Sequence, residues 1–163
     1  MGIPLDSELH ALEIGKAELL SPATLALAEQ QECAILAFGA TVAQAEAAAK
    51  ELAEEGISVA VVNARWAKPL DEELIIRLAK GTGRLVTIED HVVAGGFGSA
   101  VLELLESRGI RDINVRVIGC PDKPIEHGAL SILKELHGLS SAHLKDVVRD
   151  MVRSEAKGYE LAH

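Results

Sequence analysis

Along most of the chain, short apolar runs alternate with longer stretches in which apolar residues recur every three or four positions. The runs at 33–38, 59–62, 85–88 and 115–118 are typical of strands that are covered on both faces. Strands that alternate with helices predict a mostly parallel sheet between two layers of helices. Arg116 interrupts the last run, which indicates a position near an edge of that sheet.

The periodic stretches predict five helices. They cover residues 43–53, 71–80, 99–108, 130–136 and 142–153. Thr41 is the expected N-cap of the first helix, and Gly56 is expected to follow its end.

The length of 163 residues fits one domain with a proper core. Because only 2% of the residues are aromatic, alanine, valine, leucine and isoleucine must fill that core. A net charge of −9 argues against binding to nucleic acid, since no basic face would follow the phosphates.

The two cysteines, Cys33 and Cys120, form no Cys-x-x-Cys pair and have no metal-ligand spacing with a histidine. Reduced thiols in the cytoplasm are the simple interpretation. No apolar run approaches the roughly 20 residues of a membrane helix. The first residues include Asp6 and Glu8 and no basic region, so we expect no signal peptide.

Arg65 follows the 59–62 strand at its carboxyl end, where ligands gather in open α/β sheets. A guanidinium group there can hold a phosphate through two parallel hydrogen bonds. The alternative is a surface arginine paired with Glu89, Asp90 or Asp71.

Glu89-Asp90-His91 ends the 85–88 strand. A carboxylate beside a histidine could form an acid–base pair. We favour the alternative, a polar strand end at which Asp90 makes a turn hydrogen bond.

A glycine-rich loop, Gly95-Gly96-Phe97-Gly98, lies between that strand and the next helix. Glycines let the backbone approach a ligand, and a helix N-terminus favours anions. The loop is neither a dinucleotide fingerprint, because Val101 occupies the last position, nor a phosphate loop, because no Gly-Lys-Ser/Thr follows. We favour a tight turn for most of these glycines.

Three segments resemble the C-terminal domain of the 1-deoxy-D-xylulose-5-phosphate synthases, which are thiamine diphosphate enzymes of the transketolase superfamily. They are residues 61–71, with Asn-Ala-Arg-Trp-Ala-Lys-Pro-Leu-Asp, residues 86–101, with Glu-Asp-His before Gly-Gly-Phe-Gly, and residues 121–128, with Ile-Glu-His-Gly. The resemblance extends over about residues 2–153. Trp66 stands where the family usually has phenylalanine.

The resemblance implies a three-layer α/β/α fold of the transketolase C-terminal type. Its sheet would have five strands and be mostly parallel, with one antiparallel edge strand from within residues 12–20. Residues 1–11 would be the remnant of a linker, 12–153 the domain and 154–163 a polar tail.

The resemblance also implies a function for the whole protein, the joining of pyruvate and glyceraldehyde 3-phosphate to 1-deoxyxylulose 5-phosphate with release of CO₂, for isoprenoid precursors. Arg65 falls on the family's arginine that helps bind the acceptor phosphate. Glu89, His91, Gly95 and Gly96 fall near the active-site entrance. The domain would add surface to a homodimer.

The cofactors, thiamine diphosphate and Mg²⁺, are expected in the parent enzyme and not in this chain. No Gly-Asp-Gly motif occurs, and four aromatic residues are too few for a thiamine pocket. The partners would be the N-terminal and pyrimidine-binding domains of the parent, and the chain alone would be inactive.

Other functions remain open at this point. The chain could belong to another enzyme of the superfamily, such as a transketolase or the β subunit of a 2-oxoacid dehydrogenase. It could be a free-standing module that binds a phosphorylated metabolite at Arg65, or a purely architectural domain. His10, His137, His143 and His163 show no ligand spacing, and His127 beside Glu126 is a weak catalytic signal.

Overall fold

Six strands form one sheet in the computed structural model, which describes residues 11–154 and the backbone of 158–162. They are β1 (Glu18–Ser21), β2 (Cys33–Phe38), β3 (Val59–Asn63), β4 (Arg84–Val92), β5 (Asn114–Cys120) and β6 (Gly158–Ala162). Their order across the sheet is β1-β3-β2-β4-β5-β6. The β1–β3 pair is antiparallel, and every other pair is parallel.

Six α-helices accompany the described strands. They are α1 (Leu25–Ala28), α2 (Val42–Glu54), α3 (Glu72–Thr82), α4 (Phe97–Ser107), α5 (Leu130–Leu136) and α6 (Ser141–Arg153). The five predicted helices are therefore confirmed, while the short α1 was not predicted. Thr41 is the residue before α2 but makes no cap bond. Its hydroxyl instead lies 2.9 Å from the carbonyl oxygens of Phe38 and Ile88, which ties β2 to β4.

The predicted fold class is confirmed, including the antiparallel edge strand, and the structure adds a sixth strand to the five predicted ones. The sixth strand, β6, lies within the segment predicted to be a polar tail and pairs with β5 in parallel. Its sequence, Gly-Tyr-Glu-Leu-Ala, is too short and too polar to stand out as an apolar run. β5 is thus next to the edge, as the charge of Arg116 indicates.

The core lies on both faces of the sheet. Side chains of β2 alternate between the faces: Ile35 packs in the cluster with α2 and α6, and Leu36 packs in the cluster with α3 and α4. Both are fully buried. A buried leucine or isoleucine contributes about 1.5–3 kcal/mol relative to an exposed one, so a core that is mainly aliphatic can stabilise three layers.

Cys33 lies in the core and is fully buried. Burial raises the pKa of its thiol to about 12. The thiolate is the nucleophilic form of cysteine, so Cys33 is a packing residue and not a reactive one.

Helix α5 differs from the others because none of its residues is buried. Its exposed apolar side chains are Leu130, Ile132 and Leu136.

Candidate functional site

The carboxyl ends of β2, β3 and β4 meet at one edge of the sheet. Phe38 of β2 is in register with Glu89 of β4, and Ala37 of β2 is in register with Asn63 of β3. Helix α2, which follows β2, packs on one face of the sheet, while α4, which follows β4, packs on the other. In open α/β sheets such a reversal opens a crevice at the strand ends, where ligands bind.

A cleft of about 340 Å³ occupies this place. Its lining residues are Phe38, Ala67, Lys68, Glu89, His91, Gly95, Gly96, Phe97 and Ala100. Four of the five predicted site residues, all except Arg65, therefore share one cleft. Its size is at the lower end of the range for small-molecule sites.

Glu89 is buried, with 1% of its surface exposed. Its Oε2 accepts a hydrogen bond from the backbone N–H of Phe97 and its Oε1 accepts one from Gly98, both at 2.8 Å. These are the first two residues of α4, whose N–H groups have no partner within the helix. Glu89 thus caps α4 from eight residues upstream, which lets the helix begin at Phe97 and not at the predicted Ser99.

The cap explains why residue 96 is a glycine. A Cβ atom on Gly96 would lie 2.7 Å from Glu89 Oε1 and 2.5 Å from the carbonyl oxygen of Val92. No real Cβ contact is so short, so only glycine lets the carboxylate reach the start of α4. The cap also removes the anion site that a helix N-terminus would offer, because these N–H groups are already paired.

Gly95 has a φ of 73°, in the left-handed region that favours glycine. Its N–H donates to Ser99 Oγ at 3.1 Å, and that hydroxyl donates to the carbonyl oxygen of Val93 at 2.6 Å. The loop is therefore a hydrogen-bonded tight turn, which agrees with the favoured interpretation.

His91 lies on the exposed rim of the cleft. Its Nδ1 is 3.2 Å from the carbonyl oxygen of Val92. A carbonyl only accepts, so this bond requires the proton on Nδ1 and leaves Nε2 available. Glu89 and His91 thus share the cleft, but both carboxylate oxygens of Glu89 bond to the backbone and not to the imidazole.

Arg65 lies two residues beyond β3, at the same sheet edge, and is not among the residues that line the cleft. Its Nη2 is 2.5 Å from Glu18 Oε2 of β1, so its partner is none of the three carboxylates considered from sequence. A quarter of its side chain is exposed. Its φ of 57° is left-handed, an arrangement that costs a non-glycine residue about 1–3 kcal/mol and often marks functional sites. The next residue, Trp66, buries its Nε1 without a partner among the described residues.

Asp71 connects residues 64–70, which we call the arginine loop, to the edge strand β1. Its Oδ1 accepts from the N–H of Leu74 at 3.2 Å and caps α3, which confirms the predicted helix start. Its Oδ2 accepts from the N–H of Ala17 at 3.1 Å, one residue before Glu18. The same carboxylate therefore fixes both the end of the loop and the strand that carries the partner of Arg65.

Lys68 and Glu18 were missed as site residues. Lys68 lies on the rim of the cleft, and no ion pair or hydrogen bond of its ammonium group is present among the described residues. Glu18 is 47 residues from Arg65 in sequence, so only the β1–β3 register brings the two together. The sequence shows Lys68 three positions after Arg65. It does not show that this lysine lines the cleft.

A family model for the transketolase C-terminal domain matches residues 23–144. This chain belongs to the transketolase C-terminal domain family. The match includes β2 to β5, the arginine loop and the whole cleft.

Curated relatives of this transketolase C-terminal domain are synthases. The chain is 48% identical over 155 residues to 1-deoxy-D-xylulose-5-phosphate synthase of Heliobacterium modesticaldum, which covers 95% of this chain and 23% of that protein. It is 49% identical over 139 residues to the synthase of Desulforudis audaxviator, with 85% and 21% covered. The chain thus spans about a quarter of the length of these relatives.

Solved structures show the same fold. A split-gene transketolase described as an inactive β4 tetramer superposes with a TM-score of 0.76 at 33% identity, over 89% of this chain and 45% of that one. The transketolase of Campylobacter jejuni superposes with a TM-score of 0.58 at 21% identity, over 83% of this chain and 18% of that one.

Within the described residues, no group of three or more His, Cys, Asp or Glu side chains could hold a metal ion. The N–H groups of Phe97 and Gly98 at the start of α4 are bonded to Glu89 and are therefore not free to bind a diphosphate. In the same part of the chain, no helix is both long and apolar enough to cross a membrane.

Proposed function

We propose that this chain is the C-terminal domain of a 1-deoxy-D-xylulose-5-phosphate synthase and that it presents Arg65 to the phosphate of glyceraldehyde 3-phosphate. The identity of 48% over nearly the whole chain supports the first part. The position of Arg65 supports the second, because a strained, partly exposed arginine stands at the carboxyl end of a parallel strand.

The guanidinium group retains capacity for a phosphate. Of its five N–H donors, only one at Nη2 is bonded to Glu18 among the described residues. A hydrogen bond to a charged group contributes about 1.5–3 kcal/mol, so loss of Arg65 should weaken binding of a phosphorylated acceptor and spare an unphosphorylated one.

The rest of the synthase reaction would depend on the remainder of the protein. Thiamine diphosphate and Mg²⁺ would be held by its N-terminal and pyrimidine-binding domains, and the whole enzyme would be a cytoplasmic homodimer. Glu89, His91, Gly95 and Gly96 would lie at the active-site entrance. The exposed apolar residues of α5 support burial of that helix against another part of the assembly, since apolar patches commonly mark contact surfaces.

The test is a chimera in which residues 12–153 replace the matching region of the H. modesticaldum synthase. We expect the chimera to form 1-deoxyxylulose 5-phosphate. Arg65→Met should raise the KM for glyceraldehyde 3-phosphate by about tenfold, the effect of one charged hydrogen-bonding contact, and change the KM for glyceraldehyde far less.

Arg77→Met is the matched control, because Arg77 is also paired with a glutamate, Glu29, but lies on α3 away from the cleft. An Arg65→Met chimera with the kinetics of this control would contradict the assignment of Arg65. Equal effects on both aldehydes would likewise contradict a contact with the phosphate.

The structural match to a split-gene transketolase favours a second candidate, a domain of another enzyme of the superfamily. The donor substrate separates the two. If the whole protein uses a ketose phosphate and not pyruvate, the transketolase alternative is correct. A free-standing module that binds phosphorylated metabolites would show Arg65-dependent affinity without any other domain.

A further inference from the structure

The cleft between β2 and β4 has an apolar wall. The rings of Phe38 and Phe97 stack with their centroids 5.2 Å apart and their planes at 12°. Both line the cleft, together with Ala67 and Ala100. Phe97 is only 2% exposed, so Phe38, Ala67 and Ala100, which are partly exposed, present the apolar surface of the cleft.

The charge available to a ligand in the cleft is positive, although the chain as a whole carries −9. Glu89 is buried, and both of its oxygens are bonded to the backbone of α4. Lys68 lines the cleft, is exposed and has no carboxylate partner among the described residues.

These features favour one kind of ligand. The N–H groups at the start of α4 are taken by Glu89, and those of Gly95 and Gly96 donate to Ser99 Oγ and to the carbonyl oxygen of Val93. A doubly charged phosphate would therefore meet no ring of backbone donors here. A single ammonium group above an apolar wall suits a singly charged carboxylate with a hydrocarbon body.

We infer that the cleft binds a small organic carboxylate, whose carboxylate group pairs with Lys68 and whose apolar body lies on Phe38, Ala67 and Ala100. The site is separate from Arg65, which holds Glu18 beyond β3. The inference deepens the proposed function, on which it rests for the place of the cleft at the active-site entrance, but the binding itself is a property of this chain.

The test is an NMR titration of the 163-residue chain with hexanoate and with its neutral counterpart hexanamide. Hexanoate should give saturable shifts of the backbone amides of Gly95, Gly96 and Lys68, and hexanamide should bind at least about tenfold more weakly because it lacks the charge. Equal affinities, or hexanoate shifts that do not saturate, would overturn the inference.

Two substitutions of Lys68 test whether this lysine contacts the carboxylate. Lys68→Met and Lys68→Gln should each weaken hexanoate binding by about tenfold, while Lys80→Met, which removes an exposed lysine on α3, should not change it. Both Lys68 variants alter an exposed side chain, so amide shifts outside the cleft should stay unchanged. Full hexanoate affinity in both Lys68 variants would overturn the inference.

Arg65→Met separates this inference from the proposed function. We expect it to leave hexanoate affinity within about twofold, because its guanidinium is not part of the cleft lining. If Arg65→Met abolished hexanoate binding and Lys68→Met did not, the anion site would be that of Arg65, and the inference would fail while the proposed function stood. If Arg65→Met left the kinetics of the chimera unchanged, the proposed role of Arg65 would fail. The effect of the Lys68 variants on hexanoate binding would still support the inference.

Discussion

The carboxylate of Glu89 and the missing side chain of Gly96 are complementary. The carboxylate fills the space next to Gly96, where a Cβ atom would lie 2.7 Å from Oε1. Because of this fit, a residue at the end of β4 can cap a helix that begins eight positions later. The arrangement makes the loop rigid and uses up its backbone donors.

Gly96→Ala should destabilise the chain by about 1–3 kcal/mol, since the added methyl group must displace the Glu89 carboxylate or the Val92 carbonyl. Urea unfolding measures the change. Gly128→Ala is the control, because a Cβ there would make only an ordinary contact of 3.4 Å with Leu133. Equal stability of the two variants would show that the loop can move aside.

Glu89→Gln should also cost about 1–3 kcal/mol, because the amide NH₂ replaces one acceptor and leaves a buried N–H of α4 unpaired. Hydrogen exchange of the Phe97 and Gly98 amides should become faster. Glu103→Gln changes an exposed glutamate of the same helix and should alter neither quantity. Unchanged exchange at both amides would contradict the capping role.

Asp71→Ala should lower stability by about 1–3 kcal/mol, because it removes the α3 cap and the acceptor for the N–H of Ala17. The start of β1 should loosen, which hydrogen exchange at Ala17 would detect. Asp122→Ala, at an exposed loop position, provides the comparison. If exchange at Ala17 were as slow as in that comparison variant, Asp71 would not be holding the edge strand.

Acid should weaken the contact between α2 and α6. The hydrogen bonds from Arg149 lower the pKa of Glu55 below its usual 4.5. A lowered folded-state pKa means stability that is present above about pH 4.5 and lost as the pH falls through the folded value. The Tm of the wild type should therefore fall more between pH 6 and about pH 3 than that of Arg149→Met.

Lys80→Met is the reference for that comparison, because Lys80 forms no ion pair among the described residues. Its Tm should follow the wild type through the whole range. Parallel curves for Arg149→Met and the wild type would exclude a contribution of this ion pair to acid sensitivity.

The chain alone should show no synthase turnover with thiamine diphosphate, Mg²⁺, pyruvate and glyceraldehyde 3-phosphate. The reason is that the proposed function assigns the thiamine diphosphate and Mg²⁺ sites to other domains, and this chain spans about a quarter of the length of its synthase relatives. The measurement is formation of 1-deoxyxylulose 5-phosphate or CO₂ by the purified chain, with the chimera as the positive control. Turnover by the chain alone would refute the proposal that other domains hold the cofactor.

Apolar runs predicted β2 to β5 because parallel strands are buried on both faces, as Ile35 and Leu36 show. β6 was missed because five residues of mixed polarity carry too little pattern. The cap of α3 was predictable, since Asp71 lies directly before its helix. The cap of α4 was not, because Glu89 is distant in sequence and becomes its neighbour only when strand and helix pack.

For the candidate site, the sequence predicted the positions of residues but not all of their contacts. The carboxyl ends of the strands indicated where Arg65, Glu89 and His91 would lie. The separation of Arg65 from the cleft depends on the pairing of β1 with β3, a contact between distant parts of the chain. The resemblance supplied the antiparallel edge strand, but it did not show which carboxylate the arginine would meet.

Trp66, which directly follows Arg65, is the only tryptophan of the chain. Its indole N–H is buried and makes no hydrogen bond with the described residues. Any displacement of the arginine loop would therefore change the surroundings of a single, unambiguous fluorophore. The chain thus contains its own fluorescent probe for this loop, and binding or docking there can be followed without a label.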